Sequence, residues 1–258
     1  MKASDIMHPE DAKAIRALRS VPLFERVVEG LMEAGPEQLF KGDHLGSSVK
    51  VTKSNFPELH RLFSKVVKIC GIERPDLYVY NDPIPNAYTY GNTDIVVAVS
   101  SGLLEIMEEN ELESVLAHEC GHILCGHTLY KTMVQTLQEL ANNTIGISHF
   151  LIAPIEMALM YWSRRSELSA DRCAMLVSGE EAAQRAMLKL TCGCREVKGD
   201  PLQLVKQGEE YRKLENESWL SKIQQNGRVA FYSHPQMCIR ALEMHRWARS
   251  ATYRKFNP

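Results

Sequence analysis

The spacing of apolar residues divides most of the chain into helices. Apolar positions recur every three or four residues, which is typical of helices that bury one face. Proline near the start and glycine near the end mark several boundaries. The spacing predicts helices over residues 9–35 (in two parts), 55–71, 103–108, 110–130, 129–140, 144–162, 162–178, 180–192, 200–223 and 233–247. Residues 41–46 are predicted to be a loop with a solvated His44.

Between residues 75 and 100 the apolar period changes from helical to two. Segments 77–80, 86–90 and 94–99 are predicted strands, with turns at 81–85 and 91–92. The fold class predicted is therefore α+β, mostly α, with a small antiparallel β-sheet directly before the helix over 110–130. Residues 1–54 are expected to form an N-terminal helical extension, and residues 55–258 the main domain.

Composition excludes some classes of partner. The chain has 258 residues, 45% of them apolar and 24% charged, with a formal net charge of −2. These values are ordinary for a globular protein and give no electrostatic case for nucleic acid or an anionic membrane. No apolar export signal follows Met1, and the seven cysteines are an odd number. Both features favour reduced thiols and a cytoplasmic location.

The most apolar segment, residues 144–162, is near the minimum length for crossing a bilayer. It contains His149, Pro154 and Glu156, and no basic cluster flanks its N-terminal side. These features favour a buried helix or one that docks on a surface over a membrane span. Weak membrane association through this segment stays open.

The motif with the clearest chemistry lies in the helix predicted over 110–130. His118 and His122 are four residues apart, so both imidazoles leave one face of that helix and can bind the same Zn²⁺. Glu119 follows the first histidine and can take a proton from a water activated by the metal. The pattern is that of zinc hydrolases, although a surface helix with two solvated histidines would also match it.

A catalytic zinc site needs a third protein ligand. One known position for it, six residues after His122, is occupied by Thr128, and His127 lies one residue short of it. The other source is a glutamate on a separate helix, and Glu167 can supply it. Asp171 is four residues further on, so it shares that face and can accept the free ring N–H of one histidine. The alternative for this acidic pair is a solvated cluster beside nearby arginines.

Four motifs in this order make the chain resemble the HtpX-like zinc metallopeptidases, a gluzincin group related to type 1 CAAX prenyl proteases and to Oma. The motifs are Asn86-Ala87-Tyr88, His118 to His122 with His127 beyond, Glu167 to Asp171, and Ser233-His234-Pro235. The resemblance covers roughly residues 55–250. The chain departs from that family in one respect. The HtpX-like and prenyl-protease members have several long apolar spans, whereas no membrane span is predicted for this chain.

The resemblance implies a zincin-like catalytic domain in which His118, His122 and Glu167 bind zinc and Glu119 is the general base. It implies that Asp171 orients a histidine from outside the ligand set. It also implies that the strand at Asn86, Ala87 and Tyr88 pairs with the substrate backbone, and that His234 donates to the oxyanion of the intermediate.

The function expected is that of a soluble, cytoplasmic zinc endopeptidase acting on protein or peptide substrates. One rival is a non-catalytic metal centre in a regulatory or binding protein, with Cys120 or Cys125 as a fourth ligand. Another is a latent peptidase whose residues 1–50, or whose helix over 144–162, block the cleft.

Overall fold

The structure is a computed structural model that describes residues 1–33, 35–143, 149–217 and 236–256, with the backbone alone at 138–143, 149–153 and 215–217. It is mostly helical, as predicted. The helices are α1 (Ala3–Ile6), α2 (Pro9–Arg19), α3 (Phe24–Glu33), α4 (Pro36–Ser47), α5 (Pro57–Cys70), α6 (Ser101–Ile106), α7 (Glu109–Leu124), α8 (Thr128–Asn143), α9 (His149–Cys192), α10 (Pro201–Glu217), α11 (Met237–Ala248) and α12 (Ala251–Phe256). The predicted fold class, α+β and mostly α, is confirmed.

The sheet precedes α7, as predicted, but it is mixed rather than antiparallel. Its strands are β1 (Val49–Lys50), β2 (Asp76–Tyr80), β3 (Ala87–Tyr90) and β4 (Val96–Ser100), in the order β1-β2-β4-β3. The last strand inserts between the two before it, so β2 and β4 run parallel. Every residue of β4 is buried, whereas the first two of the four residues of β3 are only partly buried. A continuous apolar run such as that of β4 suits a central strand covered on both faces.

Close packing of α7 against α9 brings the histidine motif of α7, His118 to His122, next to the acidic motif of α9, Glu167 to Asp171. Gly121 lies where the helices touch, and a Cβ built there would lie 2.7 Å from Cys173 Cβ and 3.0 Å from Ala170 Cα. Any larger residue would push the helices apart. The glycine inside the histidine motif therefore permits the approach of α9, the helix that carries Glu167.

Three boundaries in the structure refine the sequence predictions. Helix α7 does not continue into α8, because Gly126 between them has a φ of 69°, which is not helical. The predicted boundary near residue 179 is a kink within α9, where Gly179 has a φ of 87°. The predicted loop over 41–46 is wrong: these residues lie in α4, and His44 is buried.

Residues of the N-terminal region pack on the main body. Ile6 joins the core formed by α5, α7 and the sheet, and Ala14 and Leu18 pack with α8 and α9. Strand β1 extends the sheet by pairing with β2. The domain boundary predicted at residue 54 stays a prediction. Within the described ranges, no helix is long and apolar enough to cross a membrane.

Candidate metal centre

The histidines lie on a helix that is buried along most of its length. On α7, Glu111 and the residues from Glu113 to His122 are buried. The N-terminus of the helix is fixed by Glu111, which accepts from Glu108 N at 2.8 Å and from the buried Lys189 Nζ at 2.7 Å. Such a capping box, tied to a lysine of α9, sets both the start and the orientation of α7.

The predicted ligands converge. His118 Nε2 lies 3.3 Å from Glu167 Oε2, and His122 Nε2 lies 3.3 Å from Glu167 Oε1. One ligand atom from each of the three residues lies within 4.8 Å of the others. Ligands about 2.0–2.1 Å from a tetrahedral zinc are separated by about 3.3 Å, which matches the distance from each histidine to its nearer oxygen of Glu167. Two imidazoles and one carboxylate therefore fit zinc in both chemistry and spacing.

Two cations flank Glu167, and sequence reasoning missed both. Lys131 Nζ contacts Oε1, and Arg240 Nη1 lies 3.2 Å from Oε2. Glu167 is fully buried and Arg240 nearly so. A signal for Arg240 exists in the sequence, since it interrupts the apolar run of the last helix between Ile239 and Ala241. A charge at such a position is normally paired.

Asp171 lies behind His118, as the acidic pair on one helix face predicted. Its Oδ1 is 3.0 Å from His118 Nδ1, and Arg240 donates to both of its oxygens at 2.5 and 2.9 Å. Burial alone would raise the pKa of Asp171, but the Arg240 charge and the contact with His118 hold it below its usual value. An ionised Asp171 can accept the Nδ1 proton of His118 and so leave Nε2 for a metal.

His122 is held differently. Its Nδ1 lies 3.1 Å from His127 Nδ1, and His127 Nε2 lies 3.0 Å from Asp11 Oδ2 on α2. Burial and the nearby Lys131 charge lower the pKa of His122 well below its usual value, which favours the neutral imidazole that metals bind. His127 was expected to be packed or hydrogen-bonded, but no sequence pattern pointed to Asp11 as its partner.

Glu119 lies between the metal ligands and the sheet. Its Oε2 accepts a hydrogen bond of 2.7 Å from Thr89 Oγ1 on β3. Two cavities meet at Glu119, one of about 140 Å³ and one of about 320 Å³. Asn86 and Ala87 line both cavities, and Tyr88 lines the larger one. The strand that carries these residues is at the edge of the sheet and therefore borders the candidate cleft.

The remaining candidates are His234 and the cysteine inside the histidine motif. His234 lies outside the described residues. Cys120 is fully buried in the core and packs with Cys70 and Cys173 rather than with the histidines. In the part of the chain that the structure describes, His118, His122 and Glu167 form the group that could hold a metal, and it includes no thiol.

Fold and site together define a metal-dependent hydrolase: two histidines and a glutamate from one helix, joined by a carboxylate from a second helix. A model of peptidase family M48 matches residues 53–248, and the chain belongs to that family. The resemblance stated from the motifs is thereby confirmed. Membership implies a peptidase that depends on a metal.

Relatives match over different lengths. "Plastoglobule-localized metallopeptidase 48, chloroplastic" from Arabidopsis thaliana is 33% identical over 261 residues, covering 98% of this chain and 75% of that protein. A "Protease HtpX homolog" from Pyrococcus furiosus is 30% identical over 168 residues, which is 54% of this chain and 58% of that protein. The chain thus matches little more than half the length of that HtpX homologue.

A solved structure shows the same fold at low sequence identity. The crystal structure of S. mikatae Ste24p aligns with a TM-score of 0.51 and 17% identity, covering 91% of this chain and 60% of that one. At this identity the likeness concerns the fold alone.

Proposed function

We propose that this chain is a zinc endopeptidase that hydrolyses peptide bonds of protein or peptide substrates. His118, His122 and Glu167 would hold the metal. The observation that carries the proposal is the convergence of their three ligand atoms within 4.8 Å of one another, beside a cavity that Glu119 lines together with His118 and Glu167. Three protein ligands leave one position for water or substrate, whereas structural zinc sites are usually closed by four.

Zinc bound there would lower the pKa of a water to about 7 and polarise the substrate carbonyl. Glu119 would take the proton of that water as it attacks, and would then pass the proton to the leaving amine. The hydrogen bond from Thr89 fixes one carboxylate oxygen and leaves the other to receive the proton. General acid–base catalysis of this kind contributes about 10²–10⁴ to the rate.

An extended substrate would lie along the edge of the sheet. Strand β3 pairs with β4 on one side, and its other side borders the cavities at Glu119. The segment Asn86, Ala87 and Tyr88 would pair with the substrate as an added strand, through the backbone groups that β4 does not use; both backbone groups of Asn86 are bonded to Ser100. His234 would donate to the oxyanion, as the family resemblance suggests.

The experiment compares Glu119→Gln with His118→Ala. Glu119→Gln should bind zinc at one equivalent but cleave a quenched peptide library at least 100-fold more slowly, since it removes only the base. His118→Ala should lose both zinc and cleavage. Zinc is measured by elemental analysis after dialysis. Full cleavage by the Glu119→Gln protein would contradict the mechanism, and a wild type without zinc or cleavage would favour a non-catalytic role.

Compartment and partners are less constrained than the chemistry. The expected cytoplasmic location gains no support from the comparisons, because the relative that matches 98% of the chain is named for the plastoglobules of chloroplasts. A role for residues 144–162 in membrane association stays a prediction, since part of this segment lies outside the described residues.

A further inference from the structure

A series of polar side chains in close contact connects the metal centre to the first part of the protein. His122 directs Nε2 towards Glu167, and its Nδ1 lies 3.1 Å from His127 Nδ1. On the far side of the His127 ring, Nε2 lies 3.0 Å from Asp11 Oδ2. His122, His127 and Asp11 are only 1–3% exposed. Asp11 precedes residue 53, where the match to the family begins.

Only one arrangement of protons satisfies these contacts when His122 binds a metal through Nε2. Neutral His122 then carries its proton on Nδ1 and donates it to His127 Nδ1. His127 must therefore carry its own proton on Nε2, where it faces Asp11. A carboxylate only accepts, so Asp11 selects this tautomer of His127, and His127 in turn selects the metal-binding tautomer of His122.

Other contacts hold Asp11 in place. Trp162 Nε1 donates to Oδ1 at 3.1 Å, and Ser169 Oγ donates to Oδ2 at 2.5 Å. Both partners are fully buried on α9, the helix that carries Glu167. If Asp11 turned away, both buried donors would lose their acceptor and stay unsatisfied in the interior, which is unfavourable. The carboxylate is thus tied to the same helix as the third metal ligand.

We propose that Asp11 is a positioning residue of the metal centre, which acts through His127 to fix the tautomer and orientation of His122. Helix α2, which carries Asp11, is then part of the structure that shapes the metal site. Asp11 touches neither metal nor substrate, and the inference rests on the proposed zinc site.

The test is Asp11→Asn, which keeps the size of the side chain. An amide placed with its nitrogen towards His127 sets two donors face to face, and the opposite placement does the same at Trp162. The zinc dissociation constant should rise about 10- to 100-fold, as is usual when a group behind a metal-binding histidine is lost. It is measured by competition between the folded protein and a chromogenic chelator, with circular dichroism as the check on folding.

Two further variants separate positioning from general loosening. Leu18→Ala lies on the same helix and is 1% exposed, so it should lower the unfolding temperature while zinc affinity stays within about twofold. His127→Leu should weaken zinc binding as much as Asp11→Asn. In the His127→Leu background, adding Asp11→Asn should cause no further loss, because the intermediary is already gone.

The outcomes are distinguishable. A wild-type protein that binds no zinc would contradict the proposed function itself. A wild type that binds zinc, with Asp11→Asn binding equally tightly, would overturn only the role of Asp11. Losses that multiply in the double variant, or a Leu18→Ala protein that loses zinc affinity equally, would also overturn it. If Asp11→Asn does not fold, His127→Leu against Leu18→Ala gives the decisive pair.

Discussion

His118 and His122 leave one face of the same helix, yet they are held from behind by different kinds of group. His118 Nδ1 meets a carboxylate directly, that of Asp171, and Arg240 fixes this carboxylate. His122 Nδ1 meets a second imidazole, that of His127, and a carboxylate only beyond it. The His118 side is therefore a direct contact with the carboxylate of Asp171. The His122 side is a relay, in which His127 lies between His122 and the carboxylate of Asp11.

The two sides also come from different parts of the chain. Asp171 and Arg240 lie within the stretch that matches the peptidase family, whereas Asp11 lies before it. A buried ion pair is costly to break from one side, because the remaining charge stays in the interior. In the relay, the ring of His127 separates the Asp11 carboxylate from the metal ligand His122. We therefore expect the two sides to differ in how strongly they resist change.

The largest effect should come from deleting residues 1–20. The deletion removes Asp11 together with the buried side chains of Ile6 and Leu18. We expect at least a 100-fold loss of zinc affinity and peptide cleavage, with a clear fall in unfolding temperature. A latent peptidase blocked by its N-terminus would instead gain activity on deletion. Cleavage per mole of folded protein, compared with the full chain, distinguishes the two.

Asp171→Asn should have the next largest effect and sharpens the comparison directly. It removes the acceptor for His118 and leaves Arg240 with one buried acid fewer. We expect zinc affinity to fall about 100-fold, the upper end of the range for such partners, and further than in Asp11→Asn. Chelator competition on both proteins gives the ranking. A greater loss in Asp11→Asn would reverse our view of the two sides.

Much of the His118 side follows from the sequence, because its spacing is local. A separation of four residues places two side chains on one face of a helix, and it occurs in the pair His118 and His122 and in the pair Glu167 and Asp171. The sequence also predicts that the helix of Glu167 lies beside the helix of the histidines, because a catalytic zinc site requires a third protein ligand. The sequence could not show that Gly121 sets the distance between them, since that depends on which residue of α9 it faces.

The His122 side could not be predicted in the same way. Asp11 and His127 are separated by 116 positions (127 − 11), and no period links them. The break at Gly126 turns His127 back towards His122, whereas a straight helix would point it elsewhere. The mixed order of the sheet was missed for a related reason, because a strand pattern does not state which strand is its neighbour.

Thr89→Val should affect the base and leave both metal-binding sides intact. Loss of the 2.7 Å hydrogen bond frees the Glu119 carboxylate, and a hydrogen bond to a charged group is worth about 1.5–3 kcal/mol. We expect kcat to fall about tenfold or more, with zinc affinity unchanged. Thr136→Val is the matched control, because that hydroxyl bonds a carbonyl of its own helix. A parallel loss of zinc would mean that Thr89 supports the ligands themselves.

The effect expected to reach the metal centre least directly is a dependence of stability on pH that concerns the His122 side. His8 begins α2, the helix of Asp11, and its Nδ1 accepts a hydrogen bond from Glu10 N at 3.1 Å. Burial, with a further contribution from the Arg172 charge, lowers the pKa of His8 to about 4. A histidine in the unfolded chain has a pKa of about 6.5. The stabilisation of the folded protein that comes from neutral His8 is therefore fully present above that pH. It is lost progressively as the pH falls from 6.5 to 4.

His8→Asn tests this dependence, since asparagine caps a helix without taking up a proton. The free energy of unfolding is measured in urea from pH 7 to pH 4, with a chelator present so that zinc release does not contribute. Relative to the variant, the wild type should lose about 2 kcal/mol over this range, because one pKa unit is worth about 1.4 kcal/mol and His8 is partly solvated. Other titrating groups are common to both proteins and cancel. Parallel curves would show that acid does not loosen α2, and the relay to His122 would then be no more acid-sensitive than the direct contact to His118.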